Sequence, residues 1–168
     1  ALPRRNTWDL LRLPIVAVLM TVTFGSNLAF FSWQTIHVLW AQQVVLHGLP
    51  DTVVQQAIGG VLAFVGACGL LTQFWLIGPL VKRFGEQRLV IGGRLSTASA
   101  FAIMALIPLP AVWVLSLPFV AVGNGIAVPA LTAMLTYAAP PGQRGQVIGL
   151  MQSFASAGSV LGPLVSGY

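Results

Sequence analysis

An all-α fold, a polytopic bundle of membrane helices, is the class this sequence predicts, and three observations carry the prediction. Hydrophobic residues make up 57% of the chain and its mean hydropathy is +0.88. Charged residues are only 7%, where a soluble domain carries roughly a quarter. The charges present lie between apolar runs, so each run can enter hydrocarbon while its polar ends stay in water.

The remaining bulk properties exclude other classes. A net charge of +5 and a pI near 10.8 invite a nucleic-acid reading, but that needs Lys and Arg gathered on a folded polar face. Here they stand at the ends of apolar runs, so no nucleic-acid partner is expected. Cys68 is the one cysteine and lies inside an apolar run, which leaves no disulfide framework, no metal-ligand spacing and no expected cofactor. It reads as a small packing residue. The chain begins at Ala1 without an initiator methionine and stops at Tyr168 within an apolar segment, and it reads as a piece of a longer protein.

The spans follow from a ruler of ~20 apolar residues, which at ~1.5 Å each cross ~30 Å of hydrocarbon. Residues 13 to 50 hold no Asp, Glu, Lys or Arg, and a first span is expected over 13–46. Arg4, Arg5 and Arg12 precede it. The run is far longer than the ~7–15 residues of a secretory signal core. His47-Gly48-Leu49-Pro50-Asp51 reads as a turn in which Pro50 fixes the approach and Asp51 caps the next helix. The second span is expected over 52–77, with Gly59, Gly60, Ala63, Gly66, Ala67 and Gly69 as a small-residue packing surface.

Gly78 to Arg88 is a short basic hinge to the third span, expected over 89–106. Gly78 is expected to let a neighbour approach closely, and Gly85 to adopt a positive φ. Arg94 falls about a turn and a half inside the third span; it either faces the protein interior or snorkels to the headgroups, and snorkelling is the expected state. Pro108-Leu109-Pro110 breaks the next apolar stretch and leaves a fourth span over 112–137. Pro140-Pro141-Gly142-Gln143-Arg144-Gly145 forms a second basic turn, and the fifth span is expected over 146–168.

Orientation follows from the cations. With the N-terminus inside, Arg4, Arg5, Arg12, Lys82, Arg83, Arg88 and Arg144 fall on inner loops with Arg94 just above them, so all 8 cations keep to the cytoplasmic side. A plasma membrane, the inner one in a bacterium, with a cytoplasmic N-terminus is the expected location.

One run of residues resembles a known family. Gly78-x-Leu80-x-x-Arg83-x-Gly85-x-x-Arg88, set between the second and third spans, resembles the inter-helix signature of the major facilitator superfamily. Gly123-Asn124-Gly125 with Pro129, the Pro140 to Gly145 turn, Gly149-Leu-Met-Gln152-Ser153 and Gly158-Ser-Val-Leu-Gly162-Pro163 are similar, in that order, to the last helices of tetracycline and multidrug proton antiporters of the family. Lys82 stands where the full signature has Asp, and no Arg accompanies Phe119 to Val122, as it would in the family's N-terminal half. Both departures resemble the C-terminal half. The resemblance thus implies helices seven to eleven of a twelve-helix transporter, whose partners are the missing N-terminal half, a small organic solute, protons and membrane lipids. It also implies alternating access, with the basic hinge helping to set the balance of states and proton-coupled efflux as the function. A sugar or metabolite uptake carrier of the same fold, or a non-transporting assembly subunit, remains the alternative.

Polar residues facing a cavity would carry function in such a frame. Thr23, Asn27, Phe30 and Gln34 recur at spacings of four, three and four, and His37 extends the stripe. They either line a substrate path, with Phe31 and Trp33 adding apolar contact, or bond neighbouring helices. His37 is the one buried group that titrates near neutrality, but its place toward the outer end favours a wet, hydrogen-bonded imidazole over a proton carrier. Asn124, flanked by Gly123 and Gly125 with a bend at Pro129, reads as packing first and ligand second. Gln152, Ser156 and Ser159 share a face of the fifth span, where Gly158 and Gly162 form a small-xxx-small pair, and structural contact is the expected role.

Asp9, Asp51 and Glu86 all fall at helix ends, so a proton-carrying carboxylate is expected in the missing half. No enzyme is expected. Intramembrane hydrolysis needs a Ser–His or paired Asp arrangement, and Ser26 and His37 are about three turns apart on one helix.

Overall fold

A computed structural model describes residues 10–167. Arg4, Arg5, Asp9 and Tyr168 lie outside the described residues, and with them the two arginines of the expected inner N-terminal segment. Within them the chain is helical, with no strand: α1 (Pro14–Trp40), α2 (Asp51–Leu71), α3 (Ile77–Phe84), α4 (Glu86–Leu106), α5 (Pro110–Ala138) and α6 (Arg144–Ser166). Two π-helical turns, Ala41–Val45 and Thr72–Leu76, continue α1 and join α2 to α3. Five continuous stretches are long and apolar enough to cross a membrane: Pro14–Val45, Asp51–Phe84, Glu86–Leu106, Pro110–Ala138 and Arg144–Ser166.

Every boundary agrees with the expected spans to within a few residues except one. The second helical stretch does not stop at residue 77. It runs through Gly78, Leu80, Lys82 and Arg83 to Phe84, and Arg88 belongs to α4, so every residue of the expected hinge except Gly85 is helical. The link is Gly85 alone. Its φ of 76° and ψ of 159° lie in a region that a side chain disfavours, which is why one residue suffices to turn the chain. Gly48 and Gly142 take similar φ values, 83° and 80°, in the turns before α2 and α6. Pro110 opens α5 at the position where its missing N–H costs nothing.

The chain divides into two compact units. One comprises residues up to 36 together with 131 onward. There α6 lies against α1: a methyl group on Gly158 would stand 2.7 Å from the Phe24 carbonyl oxygen, and one on Gly162 2.9 Å from that of Leu28. The Ser32 hydroxyl donates to the Gly162 carbonyl at 2.9 Å across the same contact. Both glycines therefore act as the expected small-xxx-small pair.

The other unit is residues 37–130. Here α4 and α5 cross at two glycines, since a methyl on Gly93 would stand 2.5 Å from the Gly123 carbonyl and one on Gly123 2.5 Å from the Thr97 hydroxyl. Gly125 is packed by the Thr72 side chain, 3.1 Å from where its methyl would be. Trp113, Leu117, Val120 and Ala127 on α5 are fully or almost fully buried. The small-residue surface of α2 behaves differently. A methyl on Gly59, Gly60, Gly66 or Gly78 would meet nothing within 4 Å among the described residues, so these glycines do not make the expected close approach, whereas the Gly69 carbonyl lies 3.6 Å from where a Gly125 methyl would be.

Candidate functional site

The polar side chains within the long apolar helices fall into several separate places, of which the α4–α5 crossing is the first. At the α4–α5 crossing, Gly93 and Gly123 remove the side chains that would hold the helices apart, and the next residue on each helix is polar: Arg94 and Asn124. The Arg94 Nη1–H donates to Asn124 Oδ1 at 2.8 Å, and the Asn124 amide donates to the Val120 carbonyl of its own helix at 3.3 Å. Arg94 is half-buried and turned sideways to α5. Snorkelling is thus not its state, because the close crossing brings an amide oxygen nearer than the helix end. Asn124 bridges the two helices and orients a cation.

In the same unit His37 is 4% exposed and Trp113 is 2% exposed. The indole Nε1–H donates to His37 Nε2 at 2.7 Å, and Trp40 stacks on the imidazole with ring centroids 6.5 Å apart. His37 is hydrogen-bonded as expected but it is not wet, since two tryptophans enclose it. An indole only donates, so the bond places the His37 proton on Nδ1. Trp113 escaped the sequence reading. The available signal was that a buried tryptophan needs an acceptor for its N–H.

The remaining stripe lies on α1 within the first unit. Thr23 is buried with its hydroxyl donated to Leu19 O at 2.8 Å, and Asn27 Nδ2 donates to Thr23 O at 2.8 Å. Phe30 meets Phe31 edge-on at 5.7 Å and Trp33 at 5.9 Å between centroids. Gln34 is exposed. On α6, Gln152 and Ser156 are exposed, Ser159 donates to Ser156 O at 2.8 Å, and Pro163 lies inside the helix. Pro129 likewise lies within α5.

The cations separate cleanly. Arg12, Lys82, Arg83, Arg88 and Arg144 are exposed and flank helix ends, with the Arg83 guanidinium 5.4 Å from the centre of the Phe84 ring. A cleft of about 490 Å³ opens between α4 and α5, walled by Ser96, Ala100, Ile103, Leu115, Ser116 and Phe119. Two of its hydroxyls are turned to backbone: Ser96 donates to Phe119 O at 3.1 Å and Ser116 to Val112 O at 2.7 Å. Among the described residues no group of three or more His, Cys, Asp or Glu side chains is placed to hold a metal ion.

This arrangement is that of a membrane helix bundle with isolated polar contacts, and the family model of the Major Facilitator Superfamily matches residues 3–168. The chain belongs to that superfamily. It is 32% identical over 154 residues to the class C tetracycline resistance protein of Escherichia coli, covering 90% of this chain and 36% of that protein. It is 33% identical over 110 residues to the class D tetracycline resistance protein of Salmonella ordonez, covering 65% of this chain and 27% of the relative. The multidrug resistance protein MdtH of Proteus mirabilis (strain HI4320) is 34% identical over 91 residues, with 54% of this chain and 23% of the relative covered. The chain therefore spans well under half the length of these superfamily relatives. No solved structure matches it significantly.

Proposed function

We propose that this chain supplies helices seven to eleven, within the C-terminal half, of a twelve-helix secondary transporter that exports an amphipathic organic solute in exchange for protons. The observation that carries the reading is the likeness to the class C tetracycline resistance protein across 90% of the chain. The two halves rock about a site near the midplane, and the α1 stripe of Asn27, Phe30 and Gln34, with Asn124 and Gln152, lines the path. Leu80, Lys82, Arg83, Gly85 and Arg88 form the inner junction whose contacts weigh the inward-open state against the outward-open one.

Proton coupling in this reading rests on a carboxylate outside the chain. The described acids Asp51 and Glu86 head α2 and α4, and His37 already accepts a hydrogen bond from Trp113. The test is transport by the full-length protein in sealed vesicles of inverted orientation. Tetracycline and a cationic dye are expected to accumulate when the lumen is acidic, and accumulation is expected to collapse when a protonophore removes the gradient. Uptake unchanged by the protonophore would defeat the coupling, and no uptake of any amphipathic solute would defeat the reading.

A further inference from the structure

The guanidinium at the α4–α5 crossing has one partner where it could have several. Arginine carries five N–H donors in a planar fork, and Asn124 Oδ1 takes one of them. Arg94 Nε is buried with no hydrogen-bond partner, and Asn124 is the one partner Arg94 has among the described residues. Depth makes this expensive. Arg94 is eight residues into α4, about 12 Å along the helix from Glu86 and beyond its polar first turn. A neutral amide orients a cation there but does not neutralise it.

No counter-charge comes from nearby. Among the described residues the acids are Glu86, two turns below Arg94 on the same helix, and Asp51 at the head of α2, and neither pairs with it. With Nη1 bound to Asn124 and Nε enclosed by protein atoms, Nη2 is the donor left over. A guanidinium N–H binds a carboxylate oxygen in a charge-assisted hydrogen bond. We infer that Arg94, aimed by Asn124, is the receptor for a carboxylate that reaches the α4–α5 crossing from outside these two helices. The carboxylate belongs either to the transported solute or to a part of the transporter beyond this chain. This rests on the proposed function only in the first case, where it makes the solute an organic anion.

Thermal unfolding of the purified full-length protein tests the inference without requiring transport. Benzoate is the probe and benzamide its uncharged counterpart. For a solute receptor, benzoate raises the wild-type melting temperature and benzamide does not. Arg94→Gln abolishes the benzoate response, and Arg94→Lys, which keeps the charge and loses the fork, needs roughly tenfold more benzoate for half the effect. Asn124→Asp supplies a resident carboxylate, so it raises the melting temperature of the ligand-free protein and blocks the benzoate response. For a protein carboxylate, benzoate does nothing. Arg94→Gln then lowers the melting temperature, and neutralising the partner acid in that background lowers it no further. Wild-type melting temperatures for both Arg94→Gln and Asn124→Asp, with benzoate and benzamide equivalent, would overturn the inference. Asn124→Asp decides if Arg94→Gln does not fold. A benzoate response in a protein that transports nothing would sink the proposed function while leaving the receptor in place.

Discussion

Asn27 and His37 show how one polar stripe divides once its partners are seen. The period along α1 was legible from sequence, because side chains spaced three and four apart share a face. What each residue bonds was not legible. Asn27 turns to its own helix at Thr23 O, Gln34 is exposed, and His37 accepts from a tryptophan 76 positions away. No local pattern reports such a distant partner. Two predictions belong at this scale. Trp113→Phe removes the indole donor and part of a buried ring, and is expected to cost about 1–3 kcal/mol of stability, read as a lower melting temperature of the full-length protein. Asn27→Ala with Gln34→Ala is expected to raise the half-saturating solute concentration in vesicles about tenfold, the equivalent of ~1.4 kcal/mol. Unchanged kinetics would leave the amides with a structural role alone.

Among the helices, the same residue type does opposite things. Gly158 and Gly162 on α6 and Gly93 and Gly123 at the α4–α5 crossing each admit a neighbouring backbone, whereas Gly59, Gly60 and Gly66 on α2 admit nothing among the described residues. Composition marks both sets as packing surfaces, and only the fold tells which is used. Gly123→Ala is therefore expected to lose about 1–3 kcal/mol, since the obstructing Gly93 carbonyl is backbone and cannot swing aside. Gly66→Ala should be neutral or gain up to ~1 kcal/mol through helix propensity. Comparable losses in the two variants would mean that α2 is also tightly packed in the complete protein. Span number and order were readable because hydropathy and prolines mark them. The overrun of α2 into α3 was not, because Gly78 and Pro79 look like a break, while the π-turn at Thr72–Leu76 lets the helical path continue past them.

At the scale of the molecule, the cationic ends and the order of motifs carried the family in the sequence itself, while the burial of Arg94 did not show, since a lone arginine near a helix end normally reaches for headgroups. Orientation is tested by placing single cysteines in a Cys68→Ser background. Lys82→Cys and Arg144→Cys are expected to resist a membrane-impermeant maleimide in intact cells and to react in inverted vesicles, and labelling from outside would reverse the topology. The junction at Gly85 has a further consequence. Lys82, Arg83 and Arg88 make it the densest group of trypsin sites among the described residues, yet each of them sits in a helix and only Gly85 does not. A protease needs several residues of extended chain, and this elbow offers one. Trypsin should accordingly leave the native junction whole, because the turn between α3 and α4 is confined to the two torsions of a single glycine.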